Sequence, residues 1–154
     1  MRTGDASGVR FPPPLIYLIG LVVGIMLSHF FPVPMLHEPV RWILGAVLTA
    51  VGFAFIVPAL AFFRRARTPV NPTRSTTALV TSGPYKVMRN PMYTGLAFVY
   101  LGCAAFANSP WALVLVVPVV IVVQQTVIAR EEAFLRRRFG DEYAAYCARV
   151  RRWL

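Results

Sequence analysis

Two segments of this sequence bring together residue types suited to binding chemistry. The first is Gly83-Pro84-Tyr85-Lys86-Val87-Met88-Arg89-Asn90-Pro91-Met92-Tyr93. Asn90 followed by Pro91 reads as a helix start, with the asparagine as cap and the proline in the first turn, where its missing N–H costs nothing. A helix N-terminus offers unpaired N–H groups and the positive end of the dipole, which suits anions such as carboxylates. Tyr85 and Tyr93 flank it with aromatic surface and hydroxyls. An interfacial aromatic belt beside a capped helix fits the same residues. The second segment is Glu131-Glu132, two of only six acidic residues. Adjacent helix positions point about 100° apart, so one carboxylate can face a pocket and the other solvent or an arginine. The plain alternative is a solvated face balancing Arg130 and Arg136 to Arg138. Taken together, a helix N-terminus suits a carboxylate and a glutamate suits a cation or ribose hydroxyls. The tyrosines and the Leu79-Val80 patch suit an adenine ring. S-adenosylmethionine carries all of these groups, and a nucleotide carries most of them.

The elements that must hold these segments are hydrophobic. Of the 154 residues, 57% are hydrophobic and 14% charged, against roughly a quarter charged in soluble domains. Uncharged runs cover Leu15–Phe31, Trp42–Phe63, Met92–Ala107 and Trp111–Ala129. A spanning helix needs roughly 20 apolar residues. The expectation is an all-α polytopic membrane protein with about four transmembrane helices, near 14–31, 41–63, 91–107 and 110–130, in one domain, 1–154. The first run ends in Ser28-His29-Phe30-Phe31-Pro32 without a small-residue cleavage pattern, so it reads as a retained helix rather than a signal peptide. Fifteen of the sixteen basic residues fall before the first run, between the second and third, or after the fourth; only Arg41 lies elsewhere. Positive loops stay in the cytoplasm, which predicts both termini and the 64–90 loop there, in an inner or plasma membrane. Orientation and anionic lipid account for the charge of +10, and no nucleic-acid motif accompanies it.

Pro12-Pro13-Pro14 fixes the approach to the first helix, and Pro58 inside the second should kink it. Asn108-Ser109-Pro110 is so short a link that spans three and four should form a tight antiparallel hairpin. The 64–90 loop is long enough to expect a function, and its apolar patch Ala78-Leu79-Val80 suits contact with the membrane core. After the fourth run, Phe134, Leu135 and Phe139 share a helical face. Gly140 reads as a C-cap and Asp141 as an N-cap, giving a cytoplasmic helix–break–helix tail, 131–154. Cys103 and Cys147 lie at different depths and should not pair. His29 and His37 are isolated, and no metal site is expected.

The ordered set Leu79-Val80-Thr81-Ser82-Gly83-Pro84-Tyr85, Arg89-Asn90-Pro91-Met92-Tyr93 and Glu131-Glu132, then Phe139-Gly140-Asp141-Glu142-Tyr143 and Tyr146, resembles the isoprenylcysteine carboxyl methyltransferase family. The related membrane phospholipid methyltransferases share the pattern. The resemblance covers residues 64–152 well and the first two spans only in general character. It implies a helical, membrane-embedded methyltransferase using S-adenosylmethionine. On it, Thr77, Ala78, Leu79, Val80, Tyr85, Asn90, Pro91, Met92, Tyr93 and Glu131 become cofactor-binding candidates. Thr77 and Asn90 each stand where the family has histidine. Val127 stands where the eukaryotic enzymes place an arginine for the substrate carboxylate, which weakens the case for a prenylcysteine acceptor.

The implied reaction is in-line methyl transfer to a lipophilic small-molecule or lipid acceptor entering from the membrane. An already activated methyl group asks the protein mainly to position reactants and exclude water. Arg130 and Glu132 are the catalytic candidates, the latter to help deprotonate an amine acceptor. Gln124 and Gln125, polar within the fourth run, are candidates for lining the acceptor cavity, with helix packing as the alternative. Two other readings stand beside this one. An NADPH-dependent membrane reductase related to sterol reductases would share the C-terminal region. A small transporter or structural membrane protein would share the spans, but no acidic residue lies at a span centre to couple ions.

Overall fold

Proline opens each of the first four helices. It sits in the first turn of α1 (Pro13–Phe30), α2 (Glu38–Arg65), α3 (Pro91–Phe106) and α4 (Pro110–Val123), where its fixed φ is already helical. The computed structural model describes residues 12–67 and 78–154. α4 passes through a π turn, Gln124–Ile128, into α5 (Ala129–Arg149), and a single 3-10 turn, Gly83–Lys86, precedes α3. Among the described residues there is no strand, only one isolated bridge between Met88 and Arg151.

Three helical stretches, Pro13–Phe30, Glu38–Arg65 and Pro110–Arg149, are long and apolar enough to cross a membrane, and Pro91–Phe106 is apolar but shorter. At 1.5 Å per residue, α3 extends about 24 Å against a hydrocarbon core of about 30 Å. Large apolar side chains, Ile19 and Met26 on α1, Ile43 and Val47 on α2, Val114 and Val117 on α4, point outward without protein cover. Lipid solvates such a surface and water does not. The chain is an integral membrane protein.

α3 is the central helix. It packs along α2 on one side and against α1 and α4 on the other. Small residues allow the α2–α3 approach: a Cβ on Gly52 would sit 2.7 Å from the Gly95 carbonyl oxygen, and one on Gly95 would sit 2.7 Å from that of Gly52. The hairpin between α3 and α4 is tight, as the short link requires. Asn108 adopts φ 49° and clasps the α1–α2 turn, accepting from the Leu36 N–H at 2.9 Å and donating to its carbonyl at 3.1 Å. Ser109 caps α4 by accepting from Ala112 N–H and donates to the Gly24 carbonyl.

After Ala129 the helix runs on from α4 through the π turn into α5, with no breaker between Ala129 and Gly140. The break expected in the tail comes at Gly140, where φ 48° and ψ −121° leave the helical region. Beyond it Tyr143, Tyr146 and Val150 fold back onto Leu135 and Phe139, with Leu79 packed against them. The Ala78–Val80 patch therefore covers protein, with Val80 buried against Ala59 and Tyr85, rather than pressing on the membrane core.

Candidate functional site

At the end of the bundle where α3 begins and α5 leaves the apolar stretch, one cavity opens. α2 supplies Phe63, the loop Ala78, Leu79, Val80 and Tyr85, and the α3 start Arg89, Asn90, Pro91, Met92 and Tyr93. α5 supplies Glu131, Glu132, Phe134, Leu135, Tyr143 and Tyr146. Apolar and aromatic surface dominates, and the acidic groups come from one helix turn.

Gly83 starts the turn that delivers Tyr85. Its φ is 61° and an added Cβ would strike the Phe62 ring, so only glycine fits. The Tyr146 hydroxyl donates to the Tyr85 carbonyl at 2.7 Å, tying this turn to the second leg of α5. The Tyr85 hydroxyl is buried and has no hydrogen-bond partner among the described residues. An orphaned hydroxyl on a cavity wall is an unused place for a ligand's polar group.

Asn90 holds the N-cap position of α3, but its side chain does not cap the helix. This corrects the sequence expectation. Its Nδ2 donates instead to the Arg152 carbonyl at 3.1 Å, because the last residues of the chain run alongside this turn. The first turn of α3 thus has no side-chain cap from Asn90, and its residues Met92 and Tyr93 line the cavity.

The two glutamates diverge. Glu131 accepts from the Tyr93 hydroxyl at 2.8 Å. Glu132 is buried and lies in the Arg152 guanidinium fork, with Nε to Oε1 at 2.9 Å and Nη2 to Oε2 at 2.6 Å, and Arg89 stands 3.5 Å away. Glu131 lies past the apolar run, and burial pushes its carboxyl up to about 7, opposed by the Tyr93 hydrogen bond and aided by the charge of Glu132. The Glu132 fork holds Arg152 above its usual range.

Of the cofactor candidates, Ala78, Leu79, Val80, Tyr85, Asn90, Pro91, Met92, Tyr93 and Glu131 all line this cavity, and so does the catalytic candidate Glu132. Thr77 lies outside the described residues. The other three candidates do not line the cavity. Arg130 is exposed on α5, and Gln125 is exposed on the outer face of the π turn. Gln124 accepts from the Trp153 indole N–H at 3.0 Å. Val127 is buried in the apolar cluster with Tyr17, Tyr93 and Val123. The sequence reading missed Arg152 and Trp153, which sit in a basic tail that looks like a topology signal. It also missed the π turn, which leaves no mark in composition. Such turns often accompany functional sites.

Residues 40–142 match the phospholipid methyltransferase family, from α2 through the Gly140 break. That range is about two-thirds of the chain and holds every described cavity residue except Tyr143 and Tyr146. The chain belongs to the phospholipid methyltransferase family. Membership makes it a membrane methyltransferase, and the family is one of the two that its motifs resemble. An uncharacterized protein of Haemophilus influenzae is 40% identical over 63 residues, which is 41% of this chain and 100% of that protein. No solved structure matches.

Proposed function

We propose that this chain transfers a methyl group from S-adenosylmethionine to a lipid acceptor that reaches the site from the membrane, at the cytoplasmic end of the bundle. The observation that carries this is the convergence of two segments far apart in sequence, Ala78–Tyr93 and Glu131–Tyr146, on one cavity whose polar groups match the cofactor. Glu131 would accept from ribose hydroxyls or the ammonium group. The uncapped start of α3 suits the cofactor carboxylate. The unpartnered Tyr85 hydroxyl and the wall of Leu79, Val80 and Phe134 suit a ring with a polar edge. When bound, the cofactor supplies a methyl group activated by its sulfonium. The chain's own residues hold it in register and keep water away. Basic residues at this end, such as Arg64, Lys86 and Arg136 to Arg138, support a cytoplasmic opening, with Arg41 at the other end of α2. Val127 places no cation in the apolar cluster, which favours an acceptor without a carboxylate there.

Titration calorimetry of the detergent-purified chain tests this reading. S-adenosylmethionine should bind, and Glu131→Ala and Tyr93→Ala should each weaken it at least tenfold. Binding of NADPH with no binding of S-adenosylmethionine would point to a reductase and overturn the proposal.

A further inference from the structure

Residues Arg151 to Trp153 touch two of the segments that build the cavity, the turn into α3 and the first turn of α5, and the π turn behind them. The Arg151 carbonyl accepts from the Arg89 N–H at 2.9 Å, and the Arg152 carbonyl accepts from Asn90 Nδ2 at 3.1 Å. The Arg152 side chain holds Glu132 on α5 through two hydrogen bonds. The Trp153 indole donates to Gln124 in the π turn and packs against the cluster that contains Tyr17 and Tyr93. Arg151 to Trp153 therefore strap the start of α3, the π turn and the first turn of α5 together. The guanidinium fork matches a carboxylate in two parallel bonds, which fixes direction as well as distance. Both oxygens of Glu132 are engaged in this way, and the neighbouring residue is Glu131.

We propose that this C-terminal strap positions the methyl-donor site, with Arg152 acting as a positioning residue that, through Glu132, fixes where the Glu131 carboxylate points. This rests on reading the cavity as the S-adenosylmethionine site. Arg152 touches no reactant in this account. It sets the rotation of the α5 turn and compensates the buried charge beside Glu131. The groups around Glu131 are the Tyr93 hydroxyl from α3, Tyr85 from the 3-10 turn and Glu132 on its own helix. Arg89 and Arg152 stand behind Glu132, and Tyr143 and Tyr146 line the same cavity from the second leg of α5. Without Arg152, Arg89 at 3.5 Å is the cation left beside Glu132 in this network. The Glu132 charge, now compensated by Arg89 alone, then opposes ionisation of Glu131, the form that accepts hydrogen bonds from the cofactor.

The experiment is calorimetric titration of the full chain with S-adenosylhomocysteine between pH 6 and 9. In Arg152→Gln the pH midpoint of affinity should move up by about one unit, and the Kd at pH 7 should weaken about fivefold. A merely structural loss would not move the midpoint. Arg152→Lys, which keeps the charge but not the fork, should fall between. The double variant Glu132→Gln with Arg152→Gln carries no uncompensated buried anion, so it guards against misfolding of the single variant. Its midpoint should return to the wild-type value or below. Wild-type affinity and midpoint in Arg152→Gln, or a raised midpoint in the double variant, would overturn the proposal. If the wild-type chain takes up no S-adenosylhomocysteine, the reading of the cavity itself fails, and the strap proposal with it.

Discussion

Glu131→Gln separates the cost of the site from its use. Burial lifts the Glu131 carboxyl from 4.5 to about 7, so between those values the folded chain holds a proton that the unfolded chain has released. Stability then falls as pH rises through that window, and the loss is complete above about pH 7. A shift of about 2.5 units at 1.36 kcal/mol each sets a ceiling of about 3 kcal/mol. Glu131 borders an open cavity where water screens part of this, so about 1–2 kcal/mol is expected. Glutamine keeps an oxygen to accept from the Tyr93 hydroxyl and carries no charge to desolvate. At pH 8, without added cofactor, Glu131→Gln should therefore melt a few degrees above wild type, and at pH 4.5 the two should coincide. Its affinity for S-adenosylmethionine should drop at least tenfold. Intrinsic fluorescence of the three tryptophans during heating in mild detergent measures the first effect, and calorimetry the second. If Glu131→Gln melts no higher than wild type at pH 8, the carboxylate is not held against its solvation and the reasoning fails.

Other outcomes follow from the same geometry. Wild-type affinity for S-adenosylmethionine should fall as pH drops below about 7, by up to tenfold per unit, as Glu131 takes up its proton; a flat profile from pH 6 to 8 would refute this. Tyr93→Phe removes the 2.8 Å bond to Glu131, so its affinity should fall several-fold and its pH midpoint should rise, in the same titration. Tyr146→Phe removes the link to the Tyr85 carbonyl, worth about 1 kcal/mol. Tryptic cleavage at Lys86 should then speed up several-fold, read on a gel time course. Gly95→Val forces a side chain against the α2 backbone, where even a Cβ meets the Gly52 oxygen at 2.7 Å. It should abolish the monodisperse peak on size exclusion.

Much of the site was legible because it rests on local signals. The Asn90-Pro91 start and the glycine before Tyr85 each announce a backbone event, the two adjacent glutamates are a rare acidic pair in this chain, and the resemblance ordered them into one pocket. Helix lengths followed from apolar runs, since lipid demands about 20 residues per span. What the sequence did not show depended on distance. Asn90 is a good cap in isolation, but the chain's end, 62 residues later, takes its side chain. Gln124 looked like a cavity residue because polar groups in a span avoid lipid, yet Trp153 satisfies it. Gln125 and Arg130 face outward because the π turn and the helix phase direct them there, and neither can be counted from composition. The break of the tail at Gly140 was legible from the glycine before Asp141, whereas the point where α4 passes into α5 was not, because charge begins at Arg130 and nothing there breaks a helix.

The most direct measurement is methyl transfer itself. The purified chain, S-adenosylmethionine labelled on its methyl group and a membrane lipid extract are incubated together, and the organic phase is counted and its product identified. Label should appear in a lipid product with wild type, and almost none with Glu131→Ala. Label that never leaves the aqueous phase, or a lipid product that Glu131→Ala forms as fast as wild type, would contradict it.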